Sequence, residues 1–231
     1  MIIKSRAVSG TLLILLFVGM LPLVFDVQPV KAELGTIYIR ADGRVDPSTA
    51  NITTVDNVTY TFTDNNYDSI TVERSNIIID GGGYALQGAG GGYGFTLSSV
   101  SNVTIKNTNI KYFYYGVWLY GSSNNSITAN NITANNFAGI YLSGSSNSSI
   151  TANNMAANNF AGIYLSDSSN YNGIRTNKIT TTNGHGIYLY YSSNSIIAAN
   201  NITDNNGYGV YLEFSSNNSL TANNIANNFG G

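Results

Sequence analysis

Residues 139–161 read GIYLSGSSNSSITANNMAANNFA, and the same phrase begins again at Gly162. A glycine followed by Val or Ile, an aromatic and Leu recurs at Gly116 (GVWL), Gly139, Gly162 and Gly186 (GIYL) and Gly209 (GVYL), at spacings of 23, 23, 24 and 23 residues, with a weaker copy, GFTL, at Gly94. A second apolar segment follows in each unit, as in NNSITANNI (124–132), SSITANNM (148–155), SIIAANNI (195–202) and NSLTANNI (218–225), with divergent copies SNVTIKNTNI (101–110) and SNIIIDGGGY (75–84). These apolar stretches are too short for helices and are separated by Ser, Asn and Gly, so they read as strands. Strands this short cannot bury an apolar face alone. Each unit must stack on a copy of itself, one unit per coil, which is the logic of a parallel β-helix. At roughly 4.8 Å between hydrogen-bonded strands, the units from Ser75 onward make about seven coils and a rod about 30 Å long.

Stacking turns each repeat position into a column. Alternation along GIYL sends Val117, Ile140, Ile163, Ile187 and Val210 inward, with Leu119, Leu142, Leu165, Leu189 and Leu212 beside them. A second wall carries Ile105, Ile127, Ile150, Ile174, Ile197 and Leu220, and a third Ile110, Ile132, Met155, Ile179, Ile202 and Ile225. Each buried aliphatic contributes on the order of 1.5–3 kcal/mol, so these columns form the core. Asparagine fills two further columns: Asn76, Asn102, Asn124, Asn147, Asn170, Asn194 and Asn217 in one, and Asn130, Asn153, Asn177, Asn200 and Asn223 in the other. Asn accepts left-handed backbone angles and pairs amide to amide along a stack, so both columns are expected at corners. Sequons occur at Asn51, Asn57, Asn102, Asn124, Asn131, Asn147, Asn201 and Asn217; several arise because the repeat places Asn two residues before Ser or Thr, and glycans are expected only at some exposed ones.

Residues 1–32 place Lys4 and Arg6 before an apolar run from Ala7 to Phe25 and end in Val30-Lys31-Ala32, the three parts of a signal peptide. Cleavage there starts the mature chain near Glu33, and an uncleaved anchor is the alternative. Either way the remainder is expected outside the cytoplasm, extracellular, at the cell surface or in a periplasm. Residues 33–68 are expected to supply a cap and first strands, since 37–62 lack the repeat and carry five charged residues, and 69–231 to form the β-helix. The repeat stops at Gly230-Gly231 where another GIYL is due, which predicts further coils in a longer gene product.

The phrase GIYLxxSSNxxIxxNxI and the segment IIIDGGGYALQG (77–88) resemble the right-handed parallel β-helices of NosD type, repetitive surface proteins of archaea and bacteria, from about Ile37 to the end. The resemblance implies an all-β right-handed solenoid with repeats of 22–25 residues. It also implies a class associated with carbohydrate binding and sugar hydrolysis, and, through the NosD name, an accessory role in copper maturation of an exported enzyme.

Formal net charge is −2 and 10% of residues are charged, which leaves no electrostatic footprint for nucleic acid. Cysteine is absent, so no disulfide or thiolate metal site holds the fold. The one histidine lies in Gly184-His185-Gly186-Ile187, which looks like the GHG segment of polygalacturonases. Hydrolysis needs carboxylates beside it, yet the neighbours in its column are Ala161, Ala138 and Tyr208. Asp167 and Glu213 leave one strand end two coils apart, roughly 9–10 Å, at the upper limit for an inverting pair. His185, Asp167 and Glu213 are thus weak catalytic candidates. Past the leader, copper would find only Met155 and His185 as soft or imidazole donors, Met155 sits in a core column, and no metal site or cofactor is expected.

The remaining feature is an outward aromatic column, Trp118, Tyr141, Tyr164, Tyr188 and Tyr211, with Tyr120, Tyr190, Tyr191 and Phe214 nearby. Sugars stack on such faces; aromatic neighbours at strand spacing also stabilise a sheet on their own. The function expected from the sequence is an exported, non-catalytic surface protein whose aromatic face binds polysaccharide, cell-surface glycans or a surface protein, with membrane contact only through an uncleaved leader. The alternatives are a polysaccharide hydrolase or lyase whose acids lie outside this chain, and a metal-maturation scaffold.

Overall fold

A computed structural model describes residues 35–230. The expected signal segment lies outside them. Every described element is a strand or turn, and the strands form three sheets wound into a parallel β-solenoid. The first sheet carries the GIYL strands: Ser69–Val72, Tyr93–Ser98, Tyr115–Tyr120, Ala138–Ser143, Ala161–Ser166, His185–Tyr190 and Val210–Glu213, in that order along the axis. The second runs from Ile77–Asp80 through Val103–Lys106, Ser126–Thr128, Ser149–Thr151, Gly173–Arg175 and Ile196–Ala198 to Ser219–Thr221. The third runs from Ala85–Gln87 through Asn109–Lys111, Asn131–Thr133, Asn154–Ala156, Lys178–Thr180 and Asn201–Thr203 to Asn224–Ala226.

The register is the one the repeat dictates. Val117 pairs with Ile140, Ile140 with Ile163 and Ile163 with Ile187 on the first sheet. Ile127, Ile150, Ile174 and Ile197 align on the second, and Ile132, Met155, Ile179 and Ile202 on the third. These side chains are fully buried and form one continuous core. The glycine opening each GIYL strand is fixed by close approach: a β-carbon at Gly162 would lie 2.5 Å from Ile179 Cγ2 and 2.8 Å from the Gly186 carbonyl oxygen. At the N-terminal side the pairing changes character. Thr36–Ile39 joins the first sheet parallel to Ser69–Val72 and takes Val45–Asp46 antiparallel on its other edge. Thr59–Phe62 does the same on the second sheet, with Ile52–Thr54 antiparallel outside it. These short antiparallel strands cover the edges that parallel coils would leave open.

The corners separate two uses of asparagine. Asn76, Asn102, Asn124, Asn147, Asn194 and Asn217 adopt φ between +54° and +62° and make the bend before the second sheet. Asn170 does not belong to this column. Asp167 and Ser168 are both left-handed, and Ser168 is the extra residue of the 24-residue unit, so the corner position passes to Tyr171 (φ +58°). Asn130, Asn153, Asn177, Asn200 and Asn223 instead form a ladder inside the wall. The Nδ2 of Asn153 donates to Asn177 Oδ1 (3.1 Å) and to the Ile127 carbonyl (2.8 Å), while its Oδ1 accepts from the backbone N–H and Nδ2 of Asn130 (3.0 and 3.1 Å). The left-handed residue at that bend is the preceding one, Ala129, Ala152, Thr176, Ala199 or Ala222. A third ladder at the next bend contains Asn135, Asn158, Asn205 and Asn228, interrupted at Thr182, whose buried hydroxyl has no partner.

Candidate functional site

Alternation places Trp118, Tyr141, Tyr164, Tyr188 and Tyr211 in one register on the outer side of the first sheet. The spacing between coils brings adjacent rings into stacking: Tyr141 to Tyr164 at 4.9 Å and 9°, Tyr164 to Tyr188 at 5.0 Å and 14°, and Tyr188 to Tyr211 at 5.0 Å and 24°. From Tyr141 to Tyr211 the facing ring surfaces are therefore occupied by the next ring, whereas Trp118 lies tilted against Tyr93 (4.6 Å) and Tyr120 (5.6 Å). The column presents half-buried ring edges rather than open faces: Tyr188 is only 9% exposed, and the Trp118 indole N–H is buried without a hydrogen-bond partner.

A second aromatic column, absent from the sequence reading, packs beside the first. It comprises Tyr93, Tyr115, Phe137, Phe160, His185 and Tyr208; Phe137 and Phe160 stack at 4.4 Å, and Phe160 meets Tyr164 edge-on at 5.5 Å. By strand register the residues between Tyr115 and His185 are Ala138 and Ala161. The rings of the preceding residues, Phe137 and Phe160, fill the space above those alanines. Burial raises the Tyr164 phenol to about 12 and pushes Tyr115 and Tyr188 higher still, so these hydroxyls remain protonated at neutral pH. Tyr141 shares a hydrogen bond with Ser166 Oγ at 3.0 Å, and the Tyr188 hydroxyl donates to a Glu213 carboxylate oxygen.

The three catalytic candidates do not converge. His185 lies among Tyr188, Tyr208 and Tyr211, accepts the Tyr208 backbone N–H at Nδ1 (3.1 Å), and is held toward the neutral form by burial. Glu213 is engaged by Tyr188. Leu165 aligns with Leu189 and Leu189 with Leu212, so Ser166 is the counterpart of Glu213 and Asp167 lies one residue farther on, at the corner. The two carboxylates therefore do not leave the same strand position. Asp167 accepts the hydroxyls of Ser166 and Ser143, both at 2.7 Å, which lower its pKa. Met155 is buried in the third wall, away from the histidine's sheet, and among the described residues no three His, Cys, Asp or Glu side chains gather as a metal site.

Three stacked sheets, a continuous aliphatic core and asparagine ladders define a parallel β-helix repeat protein. The chain belongs to the family described as right handed beta helix region, whose model matches residues 93–231. Among solved structures it is similar to the periplasmic alginate epimerase AlgG, with a TM-score of 0.57 and 20% identity over 68% of this chain and 46% of that one. A double mutant of AlgG gives a TM-score of 0.57 and 23% identity over 68% of this chain and 36% of that one. This chain thus spans less than half the length of either structure, and identity at this level shows the shared fold alone. No curated protein matches the sequence.

Proposed function

We propose that this chain is an exported, non-catalytic β-helix that binds glycan along the outer side of its first sheet. The observation that carries the reading is the pair of adjoining aromatic columns, which offer a repeating row of half-buried ring edges at strand spacing on a rod with few charges. A periodic surface of this kind suits a periodic ligand, and an amphipathic aromatic with a polar tip suits a sugar, which has both apolar C–H faces and hydroxyls. Export is supported by the three-part leader at residues 1–32. The fold shared with a periplasmic protein named for alginate is consistent with a carbohydrate-related role outside the cytoplasm. The absence of catalysis is argued from His185, Asp167 and Glu213, which face three different surroundings. A NosD-type part in metal maturation gains no support from Met155 and His185, which lie on different walls.

The test is retention of the full chain on a panel of immobilised polysaccharides, beside a Trp118→Ala, Tyr141→Ala, Tyr164→Ala triple variant whose fold is verified by circular dichroism, with reducing ends assayed in parallel. Retention lost in the folded variant, without sugar release, is the expected result. Sugar release would overturn the non-catalytic reading, and retention on no glycan would overturn the glycan-binding one in favour of a structural or protein-binding surface.

A further inference from the structure

At the corner where the chain leaves the first sheet, one left-handed position recurs in six successive coils: Ser99, Gly121, Gly144, Asp167, Tyr191 and Phe214, with φ between +47° and +58°. Its occupants change sharply along the rod. The two glycines in the middle omit a side chain where the far end carries exposed rings, and the result is a notch of about 380 Å³ lined by Tyr120, Gly121, Ser143, Gly144 and Asp167. Tyr120 forms one wall. It is 53% exposed; its register neighbours are Ser98 and Ser143, so no ring stacks parallel on it as Tyr164 does on Tyr141, and its one ring contact is with Trp118, tilted by 40° at 5.6 Å. Asp167 forms the other. Ser143 and Ser166 both donate to its Oδ2, which fixes the carboxylate, and Oδ1 takes no hydrogen bond from the described residues.

A half-exposed aromatic ring lining the same notch as an anchored carboxylate is an arrangement that holds a sugar by its C–H face and its hydroxyls together. We infer that this notch is a glycan subsite, with the Tyr120 ring as platform and Asp167 Oδ1 as acceptor of sugar hydroxyls, and that it selects neutral chains over uronic-acid chains. The inference rests on the glycan-binding reading of the neighbouring face. The charge pattern gives the selectivity. None of the seven described cations lines the notch: Arg40 is paired with Asp46 and Glu73 and Arg44 with Asp42, Arg74 donates to the Ala41 carbonyl at the N-terminal end of the same corner, Lys106 and Arg175 are on the second sheet, and Lys111 and Lys178 on the third. A polyuronate would meet the Asp167 charge with no cation beside it to offset the repulsion.

The test is titration calorimetry of the full chain at low ionic strength with cellohexaose, mannohexaose and an oligogalacturonate, repeated on Asp167→Asn and Tyr120→Ala. Asn keeps the left-handed backbone and the shape of the side chain while removing the charge. At least one neutral oligosaccharide should bind and the oligogalacturonate should not. Asp167→Asn should weaken the neutral ligand about tenfold, the loss expected for a charge-assisted hydrogen bond, and Tyr120→Ala about fivefold. Tight binding of the oligogalacturonate to the unmodified chain would overturn the inference. Neutral affinity unchanged in both variants but lost in the Trp118, Tyr141, Tyr164 triple variant would overturn the subsite and leave the face standing. Failure of all three oligosaccharides to bind would overturn the subsite, and the glycan-binding face would fall with it only if the polysaccharide panel also retained nothing.

Discussion

Replacing Asn153 by alanine removes an inner rung of the longest amide ladder. Asn153 is 1% exposed and its amide makes four hydrogen bonds, two donated and two accepted. The Asn130 backbone N–H loses its acceptor outright, and a buried orphan donor costs about 1–3 kcal/mol. The other three bonds contribute about 1 kcal/mol each, though the Asn130 and Asn177 amides keep their remaining partners and recover part of it. The expected loss is therefore about 4 kcal/mol, or about 8–16 °C in Tm for a domain of this size. The control is one residue away. Asn154 is exposed and donates to Asn131 Oδ1 on the outer surface, so Asn154→Ala should change stability by no more than about 0.5 kcal/mol. Thermal and urea unfolding of both variants, followed by far-ultraviolet circular dichroism, measure the difference. Equal, small effects at the two positions would refute the idea that the inner ladder, rather than asparagine content as such, holds the wall.

Three other outcomes follow from the same packing. Thr182→Asn should extend the third ladder to Asn158 and relieve the unpartnered hydroxyl, raising stability by about 1–2 kcal/mol; a lower Tm would contradict this. Gly162→Ala should destabilise by about 2–3 kcal/mol through overpacking against Ile179 and the Gly186 carbonyl, where an unconstrained strand glycine would gain from the change. His185 has a folded pKa below its ordinary value of 6.5 because burial disfavours the cation. The unfolded chain thus binds the proton first, and this contribution to stability is complete above pH 6.5 and falls as pH drops from there toward the folded pKa. Urea denaturation at pH 7.5 and 5.5 should show that slope, and His185→Phe should abolish it; an unchanged slope in the variant would place its origin elsewhere.

Period and alternation made the walls legible: the aliphatic columns and the Asn130 column follow from residue types recurring at a fixed interval. The corners were legible only where a residue type signals its backbone angle. Asn at left-handed φ is such a signal, but Ala129 and Ala152 carry no mark of it, because the wall around them and the Asn that follows impose the bend. Asn170 was misplaced because a one-residue insertion at a turn leaves every strand in phase and shifts only what lies beside it. The second aromatic column escaped for a related reason. Register assigns Ala138 and Ala161 to it, whereas the rings come from Phe137 and Phe160, and a column reading sees positions but not the volume a neighbour swings over them. Stacking of the tyrosine ring faces was equally hidden: alternation tells which side a ring is on, not which way its plane turns.

The most direct test of the proposed glycan face is hydroxyl-radical footprinting of the full chain with and without a saturating polysaccharide that it retains. Protection concentrated at Trp118, Tyr120, Tyr141, Tyr164 and Tyr211, with Tyr84 and Tyr171 unchanged, is the expected result. Protection at Tyr84 or Tyr171 with the first-sheet aromatics unaffected would place binding elsewhere on the rod and contradict it.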